Sequence, residues 1–313
     1  MTNLSFNTKV KQRGFTAKLS ARLNSSNDRA TDKQTNPYDE KICRLFDLPI
    51  NNVSMDKAIH WVVTQRFSRR AETGPAEQAN KTRLAFFINA HSINLSFKQP
   101  EFYQTLKKAD CLFADGCGMR LASRHIGDPL LDNVNGTDML PELCRQAAKE
   151  QKSIYFLGSA PGVAKQAAQS LKKSYPGLII AGHQHGFFNP QENGNIIAAI
   201  NHSEADILLV GLGSPVQEAW LAENADLLRC KTALAVGGLL DFYSGNMPRA
   251  PLWLRNLGLE WLYRLMQEPQ KKFNRYVLGN PLFLIRTYLL NRVTRPISDE
   301  KVLPQLTQQT DLS

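Results

Sequence analysis

Short runs that are apolar throughout recur along the chain from residue 42 onward, and helix-length segments separate them. A run without a polar face indicates a strand buried on both sides, as in a parallel sheet that helices cover. The runs predict six strands, at 84–89, 111–114, 154–157, 178–181, 207–211 and 233–236. The segments between them predict helices at 55–69, 138–150, 162–174, 191–202 and 216–228. This alternation predicts an α/β fold with a mostly parallel sheet and helices on both faces.

Composition divides the 313 residues into four parts. Residues 1–40 are polar and basic without sustained periodicity, so we expect them to be disordered, and we expect the same of the tail at 296–313. Residues 41–248 are the predicted α/β catalytic domain, which is nearly neutral. Residues 249–295 carry nine Lys or Arg against two Asp or Glu, so they hold most of the net charge of +10.

The basic segment 249–295 is predicted to be an amphipathic appendage that associates with a membrane. Residues 251–268 predict a helix that begins at a proline and ends before Pro269. Its polar residues form a narrow stripe, so the wide apolar face must be covered by the core, a partner or lipid. In 276–295, cations interleaved with apolar and aromatic residues favour an anionic lipid surface over nucleic acid. For 251–268, packing on the main domain and self-association into a homo-oligomer both remain open.

Cysteine usage and hydropathy limit where the protein works. The five cysteines form no C-x-x-C pair and no apolar leader is evident, so we expect a reduced, cytoplasmic protein. No run reaches the ~18 apolar residues that a transmembrane helix needs. Together with the basic appendage, these features predict a peripheral protein on the inner face of the cytoplasmic membrane, with no nucleic-acid partner.

Glycines follow several of the predicted strands, at the edge where parallel sheets bind ligands. Backbone amides can approach a phosphate at such turns, and helix N-termini favour its negative charge. We expect the turns after Gly158 and Gly211 to bind phosphate, with Gly213 and Gly237 in neighbouring loops. The stretch from Gly211 to Val216 lacks the third glycine of a dinucleotide fingerprint, and no P-loop is present. NAD enzymes and P-loop ATPases are therefore disfavoured.

Asp115 is the strongest candidate for catalysis. It ends a buried strand against Gly116, where folding requires no carboxylate, and partial burial would raise its pKa and suit a general base. The alternative is a carboxylate that only caps the following helix. Asp138 follows Gly136 and Thr137 and opens an apolar helix, so capping is its default role. No histidine has a trustworthy metal-ligand spacing and no D-x-D element is present, so we expect neither a metal nor another cofactor.

A series of motifs resembles the WecG/TagA/CpsF glycosyltransferase family over roughly residues 45–278. The motifs are Asn89-Ala-His, Ala114-Asp-Gly-Cys-Gly118, Gly136-Thr-Asp138, Gly211-Leu-Gly-Ser-Pro-Val-Gln-Glu218, Gly237-Gly-Leu-Leu-Asp241, Arg249-Ala-Pro-Leu-Trp253 and Glu260-Trp-Leu-Tyr-Arg-Leu265, then Glu268-Pro269. One Asp-Gly pair would mean little, but the whole series in this order and spacing is highly specific. The resemblance implies a Rossmann-like domain with a C-terminal helical appendage at the membrane. It also implies an inverting transfer of a sugar, typically of the N-acetylmannosamine type, from a UDP-sugar to a saccharide on undecaprenyl diphosphate.

The resemblance further implies roles for single residues. Asp115 matches the family's proposed base, Asn89 matches an active-site asparagine, and Gln217 matches a pocket glutamine. Appendage arginines are expected to complete the site over the leaving diphosphate, and the matching positions are Arg249, Arg264 and Arg275. The other residues expected to bind substrate are His91, Gly136, Thr137, Asp138, Glu218 and Asp241.

Two positions depart from the family pattern, because Phe87 stands where many members have threonine and Asn133 where many have arginine. Three classes of function remain. The favoured one is a glycosyltransferase of exopolysaccharide biosynthesis that uses a UDP-sugar and a lipid-linked saccharide. A nucleotide-dependent oxidoreductase is disfavoured by the incomplete glycine fingerprint. A non-enzymatic basic adaptor is disfavoured by the acids, amides and glycines that follow the strands.

Overall fold

A computed structural model describes residues 41–64 and 81–290. The predictions of disorder at 1–40 and 296–313 lie outside the described residues. The same holds for the end of the predicted helix 55–69 and for the last residues of the predicted appendage, 291–295.

Six strands form one sheet in which all five pairings are parallel. The strands are β3 (Arg83–Ile88), β4 (Cys111–Ala114), β5 (Ser153–Gly158), β6 (Ile179–Gln184), β7 (Ile207–Gly211) and β8 (Thr232–Ala235). Their order across the sheet is β4-β3-β8-β7-β5-β6. Each predicted strand overlaps an observed one, so the predicted parallel sheet is confirmed.

Helices cover both faces of the sheet, as predicted. They are α1 (Met55–Thr64), α2 (Ala90–Lys98), α3 (Pro100–Lys107), α4 (Cys117–His125), α5 (Gly136–Lys149), α6 (Val163–Ser174), α7 (Asn193–His202), α8 (Val216–Asn224) and α9 (Leu239–Tyr243). Alternate strand residues point into two cores: Phe86 and Ile88 pack with α2, α3, α4, α7 and α8, whereas Phe87 packs with α1, α5, α6 and α9. The Rossmann-like α/β class is thereby confirmed.

An antiparallel hairpin that the apolar runs did not predict precedes the sheet. It consists of β1 (Ile42–Leu45) and β2 (Leu48–Asn51), with left-handed backbone at Phe46 and Asp47. Its turn lacks the Asn-Gly or Asp-Gly pair that marks such hairpins in a sequence. The Asn51 Oδ1 accepts the backbone N–H of Leu112 at 2.9 Å, which fastens the hairpin to edge strand β4.

The C-terminal segment is helical, but the single helix predicted over 251–268 is wrong. Gly258, with a φ of 72°, separates α10 (Leu252–Asn256) from α11 (Glu260–Gln267). Glycine adopts this backbone conformation readily and ends helices for that reason. The chain continues through α12 (Pro269–Phe273) and a π-helical turn (Asn274–Leu278) into α13 (Gly279–Leu290).

Helix α13 packs directly on the α/β body. Its Phe283 is fully buried in the same core as Phe86, and the Asn94 Nδ2 donates to the carbonyl oxygen of Gly279 at 2.6 Å. Among the described residues, no helix combines the length and the apolar character needed to cross a bilayer.

Three strand ends approach one another so closely that only glycine fits. A Cβ on Gly211 would lie 2.6 Å from the carbonyl oxygen of Gly237, and a Cβ on Gly158 would overlap the carbonyl oxygen of Gly211. The carboxyl ends of β5, β7 and β8 are therefore packed backbone against backbone.

We predict that Gly211→Ala destabilises the protein by more than about 2 kcal/mol, because the new methyl group must displace backbone atoms. Gly194→Ala is the matched control, since Gly194 lies exposed in α7 with open space at its Cβ position; it should change stability by less than about 1 kcal/mol, in the stabilising direction. Urea unfolding of both variants measures the difference. Equal midpoints would contradict the close packing of these strand ends.

Candidate active site

The Asp115 carboxylate lies at the carboxyl end of β4, beside the end of β3. The backbone N–H of Asp115 donates to the carbonyl oxygen of Ile88 at 2.8 Å, and the Asn89 Nδ2 donates to its Oδ2 at 3.3 Å. Gly116 is the N-cap residue of helix α4, and within the part of the chain that the structure describes the Asp115 side chain accepts no hydrogen bond from the N-terminus of this helix. The alternative that Asp115 only caps this helix is therefore wrong.

The pKa of Asp115 is raised above its ordinary value. Burial is the main cause, because it disfavours the charged carboxylate. The hydrogen bond from Asn89 and the positive charges of Arg264 and Arg275 lower the pKa, and the charge of Glu260 raises it. Burial outweighs the stabilising contacts, so this carboxylate is more basic than an exposed one while it keeps a cationic neighbourhood.

Asn89 holds this carboxylate in place. Its Oδ1 accepts the backbone N–H groups of His91 at 3.0 Å and Ser92 at 3.2 Å, which caps helix α2. Because the oxygen is committed to the cap, the amide nitrogen is turned toward Asp115. The structure thus gives Asn89 a positioning role, and its contact with a sugar remains a prediction.

Asn133 is a second positioning residue, and its role was not predicted. Its Oδ1 accepts the backbone N–H of Gly116 at 2.6 Å, next to Asp115. An arginine at this position could not accept that bond, because a guanidinium has only donors. The sequence marked Asn133 as a departure from the family, but its partner lies 17 residues away, so no local pattern reveals the contact.

The charges of three cations of the C-terminal segment, Arg264, Lys272 and Arg275, act on Asp115 or on one another. Glu260 pairs with Arg264 at 2.8 Å, and Glu268 with Lys272 at 3.6 Å. The pKa of Lys272 is lowered by burial and by the positive charges of Arg275 and Arg264. The pKa of His91 is lowered to about 4 by burial, Arg275, Lys272 and Lys98, so this imidazole is neutral near pH 7. Among the described residues, the buried Nε atoms of Arg264 and Arg275 have no hydrogen-bond partner. This cluster suits an anion.

Asp241, in the first turn of α9, connects the glycine loops to the cation cluster. The Ser159 Oγ donates to its Oδ2 at 3.4 Å. Burial raises the pKa of Asp241, the Ser159 bond opposes the rise, and the charges of Glu268 and Lys272 also act on it. Since the charge of Lys272 acts on both His91 and Asp241, the ends of the neighbouring strands β3 and β8 face the same cation.

Gln217 and Glu218 are buried and bonded within the protein. The Gln217 Oε1 accepts the backbone N–H groups of Gly213 at 3.2 Å and Gly237 at 2.9 Å, and its Nε2 donates to Glu218 at 2.9 Å. Burial raises the pKa of Glu218. With 3% of its surface exposed, Gln217 positions two loops, and its contact with a sugar remains a prediction.

The glycine-loop amides are also engaged internally. The Ser159 N–H donates to the carbonyl oxygen of Gly211 at 3.1 Å, and those of Gly213 and Gly237 donate to Gln217. The expectation that amides after Gly158 and Gly211 bind phosphate is therefore not supported at these three N–H groups. The nearby cations remain the candidates for binding a phosphate in this region.

Asp138 pairs with two arginines, of which Arg249 was itself expected to contact substrate. The Arg249 Nη2 lies 2.6 Å and the Arg255 Nη1 3.4 Å from the Asp138 Oδ1. Burial would raise the pKa of Asp138, but the bonds from Asn135 and Arg249 outweigh it and the pKa is lowered. The predicted capping role is wrong, because Asn135 is the N-cap of α5. The Arg249 pair instead ties the start of the appendage to the body.

Gly136 and Thr137 form the first turn of α5. A Cβ on Gly136 would lie 3.4 Å from the Phe87 ring, and the Thr137 carbonyl oxygen accepts the Tyr243 hydroxyl at 2.8 Å. Phe87, the first departure from the family pattern, thus packs against this turn. Contact of Gly136 or Thr137 with substrate remains a prediction.

Fold and site together define a Rossmann-like enzyme with a basic carboxylate next to an anion-attracting cluster. The model of the glycosyl transferase WecG/TagA/CpsF family matches residues 43–297. This match covers most of the chain, so the chain belongs to this family.

Three relatives share the name N-acetylglucosaminyldiphosphoundecaprenol N-acetyl-beta-D-mannosaminyltransferase. The chain is 33% identical to the relative from Bacillus spizizenii over 176 residues, 56% of this chain and 68% of that protein. It is 30% identical to the Bacillus subtilis relative over 182 residues, 58% and 70% of the two chains. It is 26% identical to a Staphylococcus aureus relative over 226 residues, 72% and 86% of the two chains.

These comparisons confirm the broad prediction of a glycosyltransferase: the chain is a hexosyltransferase. The oxidoreductase and the non-enzymatic adaptor are accordingly set aside.

We predict that Asn89→Ser moves the acid limb of the pH profile of kcat/KM to higher pH. Serine also caps helices well, so α2 should keep its stability, but the bond that lowers the Asp115 pKa is lost. Asp115 would then be protonated at a higher pH than in the parent enzyme. Asn135→Ser is the control, because Asn135 caps α5 in the same manner and does not bond to Asp115. An unmoved limb in Asn89→Ser would contradict this coupling.

Proposed function

We propose that this chain transfers a sugar of the N-acetylmannosamine type, or a related hexose, from a UDP-sugar to a saccharide on undecaprenyl diphosphate, with inversion at the anomeric carbon. The relatives' names supply the acceptor class and the sugar. The observation that carries the chemistry is the half-buried Asp115 carboxylate, whose pKa is raised by desolvation while the charges of Arg264 and Arg275 act on it.

Asp115 acts as the general base in this proposal. Its carboxylate takes the proton of the attacking acceptor hydroxyl while that oxygen bonds to the anomeric carbon. The bond between this carbon and the UDP oxygen breaks on the opposite side, so the configuration inverts and UDP leaves with the bonding electrons. Base help of this kind is typically worth about 10²–10⁴-fold, and a raised pKa strengthens the base.

The cluster of Arg264, Lys272 and Arg275 stabilises the departing diphosphate. Fixed donors aimed at developing negative charge contribute about 3 kcal/mol each. An incoming diphosphate also relieves the mutual repulsion that lowers the pKa of Lys272. These protein cations can supply the charge that a metal supplies in other enzymes, so we propose a reaction without a metal or other cofactor.

The enzyme works at a membrane surface in this proposal, because its acceptor is a lipid. Helix α11 turns its polar side inward: the Arg264 guanidinium lies 4.7 Å from the Phe242 ring centre and bonds Glu260 at 2.8 Å. Large apolar residues of the same segment point outward, namely Leu252, Trp253, Leu257 and Met266. An outward apolar side beside basic residues suits an anionic lipid surface.

The test is incubation with a panel of UDP-sugars and an N-acetylglucosaminyl-diphosphate acceptor on a short lipid, with and without EDTA. We expect mass spectrometry to show one added N-acetylhexosamine or hexose together with UDP, and NMR to show a β-linkage from an α-linked donor. EDTA should leave the rate unchanged. Retention of the donor's configuration, or no product with any donor, would overturn the proposal.

We predict that Asp115→Asn lowers kcat by about 10²–10⁴-fold without loss of stability, because the neutral amide avoids the cost of burying a charge. Asp226→Asn is the control, since Asp226 is an exposed carboxylate whose described ion pair is with Lys81; its turnover should be unchanged. Turnover and melting temperature are measured on both. Near-normal turnover of a folded Asp115→Asn would refute the assignment of the base.

A further inference from the structure

Helix α13 fits between two helices of the α/β body. On one side the Arg286 Nη1 donates to the Asn94 Oδ1 at 2.7 Å, and its guanidinium lies 4.5 Å from the Phe97 ring centre, so α13 meets α2. On the other side a Cβ on Gly118 would lie 3.4 Å from the Phe283 ring. The His125 and Tyr288 rings are 5.5 Å apart as well, so α13 also meets α4.

The outer surface of these three helices carries six exposed, large apolar or aromatic residues. Leu121 is 51% exposed and lies between Gly118 and His125 on the side of α4 that meets α13, because residues three and four apart share a helix side. Phe97 of α2 is 45% exposed under Arg286. The exposed apolar residues of α13 between them are Leu284, Ile285, Tyr288 and Leu289. We call these six residues and the helix surface that carries them the three-helix face.

The charge of the same helices has one sign only. Within their described bounds, α2, α4 and α13 contain no Asp or Glu. Their Lys and Arg residues are Lys98, Arg120, Arg124 and Arg286, of which the first three are exposed. An apolar centre with basic neighbours and no acidic residue complements a surface that is apolar in depth and negative at its boundary.

We propose that the three-helix face is a bilayer-contact surface to which the α/β body itself contributes, through Phe97 of α2 and Leu121 with Arg120 of α4. The inference rests on the proposed lipid acceptor and extends the membrane contact beyond the appendage. A second copy of the chain fits less well, because a two-fold contact would place this basic surface against itself. The bilayer is the occupant that offers both apolar depth and negative charge.

This surface would set the height of the reaction centre above the bilayer. Helix α2 begins directly after Asn89, and α4 begins two residues after Asp115. Each has nine residues, about 13 Å in length. The base therefore lies within one short helix of the face. A diphosphate at the lipid headgroups could reach the cation cluster while its lipid tail stays in the bilayer.

The experiment is flotation of the full chain with vesicles of phosphatidylcholine alone and of phosphatidylcholine mixed with phosphatidylglycerol. We expect wild type to bind the anionic vesicles preferentially, and Leu121→Glu and the double variant Arg120→Glu/Arg124→Glu each to lower the partition coefficient by about tenfold or more. Leu227→Glu is the matched control, because Leu227 is 59% exposed in the loop before the inner strand β8 and is not part of the three-helix face; it should bind within about twofold of wild type.

Transfer to a short-chain acceptor in solution separates this inference from the proposed function. The α4 variants should retain that activity and the parent melting temperature, because the changed residues are exposed. If the wild-type chain showed no transfer activity but the α4 variants still lost vesicle binding, the bilayer-contact surface would be supported and the proposed function refuted. Unchanged vesicle binding in both α4 variants would overturn the surface. So would concentration-dependent dimers in sedimentation that the α4 variants abolish, since a second copy would then occupy the face.

Discussion

The burial of one carboxylate at the end of a parallel strand is the constraint on which the rest of the site depends. Burial raises the pKa of Asp115, and the contacts that oppose it come from two different parts of the chain. Asn89, at the end of the neighbouring strand, is fixed by its helix cap and donates to the carboxylate. Arg264 and Arg275 belong to the C-terminal segment. A basic carboxylate in a cationic field therefore exists only when sheet and segment are together.

The C-terminal segment serves the site and the surface at once. Its Arg249 pairs with Asp138 on the body, and the buried Phe283 of α13 joins the core below β3. These two contacts hold the cations between them near the strand ends. Several large apolar residues of the segment, among them Trp253, Leu257 and Met266, point outward. The usual arrangement of a surface helix, apolar inside and polar outside, is reversed in α11, because its polar side has a charged partner within the protein.

Several residues that were predicted to bind substrate form hydrogen bonds or ion pairs within the protein. Gln217 joins two loops through their backbone N–H groups, and Asp138 and Arg249 neutralise each other. These bonds fix the geometry of the loops and helices around the site. A motif cannot distinguish such a role from direct contact with a ligand. Conversely, Asn133 and Lys272 act on the centre without having been predicted as binding residues, since their effects depend on neighbours distant in the chain.

The sequence by itself determined the α/β class, the positions of all six parallel strands and the edge at which Asp115, Asn89 and the glycine turns gather, because strands buried on both faces must be apolar throughout and parallel strands place their carboxyl ends together. It also determined the basic, apolar character of the C-terminal segment. It did not determine the hairpin before the sheet, the break at Gly258 or the packing of α13. Only the tertiary structure decided which polar atoms pair with the protein and which stay available, because each pairing joins residues whose separation along the chain carries no periodic signal.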